Sequence, residues 1–311
     1  PRCEGMCDHN LLDILVIAVC AMICGADEWE DIADFGTCKE DWFRTFLELP
    51  CGIPSKYTFR RVFSLLDPAA FEACFTGWVK QTLTELSGCH HLAIDGKAIR
   101  GSKSQGKKAV HLVSAWSNQL GLVLGQERVD QKSNEITAIP KLLKALELKG
   151  CLITLDAMGC QTKVAEECVK QEADYVLAVK GNQKTLYNDI ASLFEATEKQ
   201  SQPGQFAESQ TVGHGRKEHR CCWVMNDLGT LRTAHKWPGL KQVAVVQSDR
   251  QINGKVTTAL RFYIMSKTLS ALEVLNISRQ HWAVENNLHW VLDVSFSEDA
   301  CQAKAGNSAE N

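Results

Sequence analysis

The spacing of apolar and polar positions changes once along the chain, near residue 90. From residue 8 to about 88, apolar side chains recur at helical intervals, and the pattern is interrupted by Pro50, Pro54 and the pair Asp67-Pro68. From residue 91 onward, short apolar runs alternate with helical patterns. The two patterns predict an all-helical N-terminal domain over residues 1–88 and an α/β domain over residues 89–311.

The α/β domain opens with a predicted meander of three strands and continues with crossover helices, which favours a mixed sheet covered by helices. Two of its apolar runs end in an aspartate, at Asp95 and Asp156. If those two strands are parallel neighbours, both carboxylates leave the sheet at the same end. The predicted elements are strands at 91–95, 110–116 and 122–129, a helix at 133–148, a strand at 151–156, a helix at 161–172 and a strand at 174–180.

Residues from about 200 to 268 carry a different, strand-rich pattern and predict a β-rich insertion. Asn253-Gly254, between two strand-forming runs, is a strong signal for a two-residue hairpin turn. One edge of this segment is basic through His214, Arg216, Lys217, His219 and Arg220.

The last predicted element is a long helix. Ser270–Glu273 has the pattern of a capping box, so we expect the helix to begin there and to run to about Val294. His281, Glu285 and His289 are spaced by four residues and would share one face of an unbroken helix. A polar stripe on an otherwise apolar helix indicates a site rather than core packing.

Composition narrows the possible classes of protein. The chain has 311 residues with 45% hydrophobic and 23% charged side chains, which is typical of a globular protein of one or two domains. A net charge of −3 excludes a globally basic nucleic-acid binder, so any surface for nucleic acid must be local. The apolar run Leu11–Cys24 contains Asp13 and is shorter than the roughly 20 residues of a membrane helix, so we expect no membrane association.

The fourteen cysteines contain no Cys-x-x-Cys pair, and several lie inside apolar runs. This usage favours reduced thiols in a cytoplasmic protein. The chain begins with Pro1 and ends at Asn311 without a terminating signal, so we expect a fragment with a truncated C-terminus.

Asp95 and Asp156 are the first candidate functional residues in the sequence. A single Asp-Gly pair is most often turn chemistry, but a second apolar run that ends in aspartate makes a carboxylate site the better interpretation. The segment after Gly96 has no acidic residue before Gln126, and its cations are Lys97, Arg100, Lys103, Lys107 and Lys108. Carboxylates beside concentrated positive charge suit a metal site that acts on a polyanion.

Six segments of the sequence are characteristic when taken together. They are Ile94–Lys97, Thr154–Gln161, Val179–Gln183 and His281–Trp290, together with Gly25–Ile32 and Lys132–Ile136. Through these segments the sequence resembles the DDE transposases of bacterial insertion sequences, and among them the H-repeat-associated (ISAs-type) group. The likeness covers nearly the whole chain.

The resemblance implies a ribonuclease-H-like mixed sheet core in which Asp95, Asp156 and Glu285 are catalytic and bind two Mg²⁺ or Mn²⁺ ions. Related transposases carry an insertion before the third carboxylate, where this chain has its β-rich segment. The wider superfamily often has tyrosine, arginine and lysine around that glutamate, and this chain has Ser278, His281 and Leu292. Asp293, Glu298 and Asp299 are therefore alternatives for the third carboxylate.

The activity implied by the resemblance is DNA cleavage and strand transfer at insertion-sequence ends. Its partners would be double-stranded DNA, as terminal inverted repeats and target, and further copies of the chain in a synaptic complex within the bacterial nucleoid. The charge pattern and the resemblance together give the expected DNA contacts: Lys97, Arg100, Lys103, Lys180, Asn182, Arg216, Arg279, His281 and His289.

Three alternatives stay open on the sequence alone. A catalytically inactive, DNA-binding relic of a transposase would keep the fold without the reaction. A host nuclease with the same core would cut DNA without joining it. A metal-dependent enzyme for small phosphate esters would not need the helical domain or the β-rich segment, which count against it.

Overall fold

The computed structural model describes residues 7–83, 91–103, 109–129, 134–198, 206–213, 215–301, 305–309 and 311. The chain divides into two compact units. The first comprises Pro1–Thr82, Ala98–His111 and Leu288–Asn311, and the second Leu83–Lys97 and Leu112–Asn287. The units do not follow a single cut in the sequence, and a domain boundary at residue 88 stays a prediction.

The elements described between residues 7 and 83 are helices, and those up to Leu65 pack around an apolar cluster that includes Ile14, Phe43 and Phe59. Asp13 is buried within this cluster because its Oδ2 accepts a hydrogen bond from the backbone N–H of Leu49 at 3.0 Å. The helices are α1 (Leu11–Ile23), α2 (Trp29–Cys38), α3 (Glu40–Phe43), α4 (Lys56–Leu65) and α5 (Pro68–Leu83).

The C-terminal residues of the first unit close the end of α4. The side-chain amides of Asn307 and Asn311 donate to the carbonyl oxygen of Leu66 at 2.9 and 3.0 Å. The last carbonyl groups of a helix have no partner within it, so these amides satisfy acceptors that α4 leaves open.

The second unit is built on a nine-stranded sheet in the order β3-β2-β1-β4-β5-β9-β8-β7-β6, counted over the described residues. β1, β4 and β5 are parallel, whereas β2–β3 and the strands from β5 to β6 pair antiparallel. The mixed α/β sheet is therefore confirmed. The strands are β1 (His91–Ile99), β2 (Val110–Ser117), β3 (Leu122–Arg128), β4 (Leu152–Leu155), β5 (Asp174–Val179), β6 (Phe206–Gly213), β7 (Arg216–Met225), β8 (Gln242–Ile252) and β9 (Lys255–Met265).

The β-rich segment continues the same sheet, because β9 pairs with β5. The hairpin predicted between β8 and β9 is confirmed. Asn253 and Gly254 have φ values of 49° and 79°, the left-handed conformation that a two-residue hairpin requires. The helices that follow β3, β4 and β5 are α6 (Glu135–Ala145), α7 (Thr162–Lys170) and α8 (Lys184–Glu198).

The long C-terminal helix is interrupted, so the prediction of one continuous helix to Val294 was wrong. Its capping box is present, with Ser270 Oγ accepting from Glu273 N and Glu273 Oε2 accepting from Ser270 N. The helix α9 (Ala271–His281) ends early, a π turn follows at Glu285–His289, and a short α10 (Trp290–Val294) comes last. The shared face expected for the three spaced polar residues does not hold across the π turn.

Two negative findings apply to the described part of the chain. None of its helices has both the length and the apolar character needed to cross a bilayer. The cysteines of the described ranges are free thiols, and no disulfide joins any two of them.

Candidate active site

Asp95 and Asp156 lie next to each other where the parallel pairing of β1 and β4 ends, although β1 itself runs past the predicted end at residue 95 to Ile99. β1 and β4 are in register through Ile94 and Leu155, and each aspartate follows directly. Adjacent strands are about 4.8 Å apart, so the two carboxylates begin from neighbouring backbone positions. The parallel pairing on which the prediction depended is confirmed.

Glu285 is the first residue of the π turn, and its side chain is exposed. π turns within helices are rare and are often found at functional sites. The helix α9, which leads to it, is held on the sheet by Val274, Leu275 and Ile277 in the same apolar cluster as strands β7–β9. The π turn therefore presents Glu285 from a rigid, packed element.

The electrostatics of Asp95 show that several carboxylates converge on it. Its pKa is raised to about 7, chiefly by burial and further by the charges of Asp156, Glu135 and Glu285, whereas a backbone hydrogen bond from Gly96 opposes the rise. Like charges this close favour a proton or a cation among them.

Glu135 is the carboxylate that the sequence argument missed. It opens α6 directly after Asn134, and its charge acts on Asp95. The signal was present, because Lys132–Ile136 is one of the family-like segments. That segment was used only for recognition, and no chemical role was assigned to its acid.

The loop after β4 orients Asp156. Asp156 Oδ1 accepts hydrogen bonds from the backbone N–H groups of Met158 at 2.9 Å and Gly159 at 3.2 Å. A side chain at Gly159 would meet Leu155 at 2.4 Å, so only glycine fits this turn. The two hydrogen bonds fix the direction of the carboxylate.

The family-like Val179–Gln183 block holds the same loop from the neighbouring strand. The side-chain amide of Asn182 donates to Ala157 O at 2.6 Å, and that of Gln183 donates to Cys160 O at 2.9 Å. Asn182 was predicted to contact DNA, but its Nδ2 is engaged within the protein. The block therefore supports Asp156.

A buried polar network lies behind the carboxylates. Thr154 Oγ1 is 2.9 Å from His91 Nε2 and 3.0 Å from His281 Nδ1, so one hydroxyl can donate to one imidazole and accept from the other. Asn118 Nδ2 donates to Gln280 O at 2.9 Å. The network links the strands of Asp95 and Asp156 to the helix that leads to Glu285.

Both imidazoles of this network are neutral near pH 7. Burial lowers the pKa of His91 to about 4, helped by the neighbouring His281. Burial likewise lowers the pKa of His281 to about 4, against the opposing charge of Asp156. His281 was predicted to contact DNA, and the structure instead places it inside the fold.

Of the other predicted DNA contacts, Lys97 is half-buried, whereas Lys103, Lys180 and Arg279 are exposed. His289 is the last residue of the π turn. Lys107 and Lys108 lie outside the described residues.

Arg100 has a protein partner. Within the first unit, its backbone N–H donates to Asp299 Oδ1 at 3.0 Å, and its Nε lies 3.4 Å from Asp299 Oδ2. Its side chain is 84% exposed, so it stays accessible to solvent. Asp299, an alternative for the third carboxylate, is engaged in this pair.

A cluster of arginines forms on one face of the outer strands. Glu218 is buried, with its Oε2 2.7 Å from Arg220 Nη2 and 3.7 Å from Arg216 Nε, and with its Oε1 3.7 Å from Arg250 Nη2. Burial lowers the pKa of Arg220, and the charges of Arg279 and Arg216 lower it further. Three arginines therefore share one carboxylate, which leaves an excess of positive charge on this face.

This arginine cluster, completed by Arg261 and Arg279, lies toward the carboxylate end of the sheet. Val179 of β5 pairs with Phe262, and β7–β9 extend beyond that level to Arg216 and Ile252. The guanidinium of Arg261 lies 5.7 Å from the centre of the Trp282 ring. Sequence analysis named Arg216 and Arg279 as DNA contacts and Arg220 on the basic edge, whereas Arg250 and Arg261 join the cluster only through strand pairing.

The family models match the chain almost from end to end. The DDE_Tnp_1-associated model matches residues 1–79, and the Transposase DDE domain model matches residues 87–311. The Escherichia coli O157:H7 protein "Putative transposase YncI" is 44% identical over 99% of this chain and 80% of its own length. The Escherichia coli K12 protein "H repeat-associated putative transposase YhhI" is 41% identical over 97% of this chain and 82% of its own length.

One solved structure also aligns along the chain. The cryo-EM structure of the piggyBac transposase synaptic complex with hairpin DNA covers 99% of this chain and 69% of its own, with a TM-score of 0.45 and 11% identity. Membership rests on the sequence matches. The chain belongs to the DDE transposase family, in the group with the H-repeat-associated proteins.

Proposed function

We propose that this protein is a DNA transposase that performs metal-dependent cleavage and strand transfer at the ends of an insertion sequence. The proposal is supported above all by the electrostatic convergence of Asp156 and Glu285 on Asp95, at the point where the parallel pairing of β1 and β4 ends. A ribonuclease-H-like core would place three carboxylates in this way, with β6–β9 as its insertion and residues 1–88 as a helical domain.

The residues fit two divalent cations. Asp95, Asp156 and Glu285 offer the carboxylate oxygens that Mg²⁺ and Mn²⁺ prefer, and the raised pKa of Asp95 reflects a repulsion that a cation relieves. Within the described residues, these three side chains do not bring one oxygen each within 4.8 Å of one another. Bound ions would activate water or a 3′-hydroxyl and offset charge on the phosphate.

Hydrogen bonds within the protein would hold the carboxylates of the site in position. The loop hydrogen bonds direct Asp156, and the network around Thr154 holds the three carboxylate-bearing elements in one arrangement. We assign His281 and Asn182 this positioning role.

The DNA contacts proposed for the chain fall on the exposed cations. Lys103, Lys180 and the arginine cluster would hold phosphates of double-stranded terminal repeats or target DNA. Arginine suits this task because its planar fork matches phosphate oxygens. We propose a homo-oligomer for synapsis of two ends.

The test is a cleavage and joining assay with DNA from the flanking terminal repeats and Mg²⁺. We expect Asp156→Asn to abolish both steps, with Glu166→Gln, an exposed acid on α7, as the matched control. Equal cleavage by Asp156→Asn and wild type would refute the assignment. Cleavage without joining would favour a host nuclease.

A catalytically inactive relic is the second candidate. One relative, the Escherichia coli K12 protein "Inactive transposase YbfQ", is 45% identical over 56 residues, 18% of this chain and 67% of its own length. DNA binding by wild-type protein with neither cleavage nor joining in Mg²⁺ or Mn²⁺ would favour this reading.

A further inference from the structure

A second group of metal-ligating side chains lies on the β6–β7 hairpin, separate from the carboxylates of the candidate active site. Among the described residues, Glu208, His219 and Cys221 bring one ligand atom each within 4.8 Å of one another. Strand register explains the meeting. Glu208 pairs directly with Cys221 across the ladder, and His219 is two positions from Cys221 on the same face.

The distances suit a tetrahedral centre. His219 Nε2 is 3.0 Å from Glu208 Oε2 and 3.7 Å from Cys221 Sγ. Zinc binds nitrogen and oxygen at about 2.0–2.1 Å and sulfur at about 2.3 Å, so tetrahedral ligand atoms lie roughly 3.3–3.6 Å apart. The same imidazole nitrogen faces both partners, as one ligand of a shared metal would.

The surrounding charge favours a cation. Asp249 pairs with His219 across β7 and β8, and its carboxylate accepts hydrogen bonds from Thr258 at 2.6 Å and Gln247 at 3.0 Å. Asp249 therefore adds an oriented negative charge next to His219. Thiolate, imidazole and carboxylate together select zinc over the harder Mg²⁺.

We propose that Glu208, His219 and Cys221 bind one Zn²⁺ ion, with water in the fourth position. Binding forms a bond from zinc to Cys221 Sγ and releases the thiol proton to solvent. The ion would join β6 to β7. β6 is the edge strand of the sheet, and its side chains alternate between exposed and half-buried, so it has few apolar contacts to hold it.

The experiment titrates Co²⁺ into the full chain, reduced with a phosphine to avoid competing thiols. We expect one equivalent to give a sulfur-to-cobalt charge-transfer band and tetrahedral cobalt bands, which one equivalent of Zn²⁺ removes. The acidic cluster of the proposed active site contains no sulfur and cannot give the charge-transfer band. The readout is therefore independent of transposase activity.

Cys221→Ser should lose the charge-transfer band and weaken zinc binding by more than about 100-fold, above the range for losing an outer partner. Cys38→Ser, at an exposed cysteine on α2, is the matched control and should keep the band. Glu208→Gln, at an exposed position, tests the site in a variant with an unaltered core and should weaken zinc by about tenfold or more. A band that persists in Cys221→Ser, or is missing in wild type, would overturn the proposal.

Hydrogen exchange tests the role of the ion at the edge strand. Zn²⁺ should slow exchange of β6 amides in wild type and leave those of Cys221→Ser unchanged. Equal exchange of β6 with and without Zn²⁺ in wild type would overturn the proposed link between β6 and β7.

Discussion

The second unit gathers like charges in two places, and the two places differ in how the charge is offset. Around Asp95, burial and the charges of carboxylates from separate elements together raise its pKa to about 7. On the outer strands, arginines converge on the buried Glu218, which offsets part of their charge. The acidic group therefore depends on a bound cation or proton, whereas the basic group has an internal counterion and a surplus for phosphates.

Asp95→Asn should have the largest effect, because it removes the central member of the acidic group. Mg²⁺-dependent cleavage should fall by roughly 10³-fold or more as several kcal/mol of charge stabilisation is lost. The metal-free variant should be more stable at pH 8 by about 2–4 kcal/mol, since ionised Asp95 is disfavoured in the fold. Urea unfolding and the cleavage assay measure the two effects. A less stable variant at pH 8 would contradict the assigned repulsion.

Glu218→Gln tests the basic group. It leaves Arg220, which is 14% exposed, without its closest carboxylate, and we expect a loss of about 3 kcal/mol in the free energy of unfolding. The exposed Glu166→Gln should change stability by less than about 0.5 kcal/mol. An unchanged free energy of unfolding in Glu218→Gln would mean that solvent already screens the charges of the arginines.

The buried, neutral imidazoles of His91 and His281 predict that the stability of the fold depends on pH. The pKa values of His91 and His281 are about 4 in the fold against 6.5 for the unfolded chain, so the unfolded state binds more protons between these values. The two imidazoles should not lower the free energy of unfolding above about pH 6.5. Below that pH the free energy of unfolding should fall toward pH 4, by up to about 3 kcal/mol per imidazole. Asp95 contributes with the opposite sign over part of this window, so urea unfolding is measured in Asp95→Asn. A flat profile from pH 7 to 5 would contradict the burial of neutral rings.

Arg250→Ala should have the smallest effect. Its side chain is 44% exposed, and removal of one phosphate contact should reduce the salt dependence of DNA binding by about one unit in log–log slope. The loss should be equal for specific and random sequences. Lys144→Ala, an exposed cation on α6, serves as control. An unchanged slope would place DNA elsewhere on the protein.

Local patterns predicted the elements well and their junctions poorly. The apolar runs before Asp95 and Asp156 specified buried strands, and their parallel pairing followed from the crossover between them. The π turn at Glu285 was not predicted, since its residues fit an ordinary helix and only tertiary packing widens the turn.

Side chains that act over long sequence separations were predicted least well. His281 was interpreted as part of a polar stripe that forms a site, yet it is buried and hydrogen-bonded to Thr154, far earlier in the chain. Arg250 and Arg261 carry no local signal, because only the register of β7–β9 brings them to the face of Glu218. The amino-acid composition gives only the number of charged residues, whereas strand pairing determines which of them lie next to each other.

The continuous hydrogen-bonded pairing of the strands from β4 to β7 sets the spacing between the carboxylates and the arginine cluster. β4 and β7 are separated by four strand steps, roughly 19 Å at about 4.8 Å per step. On a DNA duplex, that interval corresponds to about five or six base pairs at 3.4 Å each. A phosphate gripped by the arginines would thus set the distance, counted in base pairs, to the bond presented to the carboxylates.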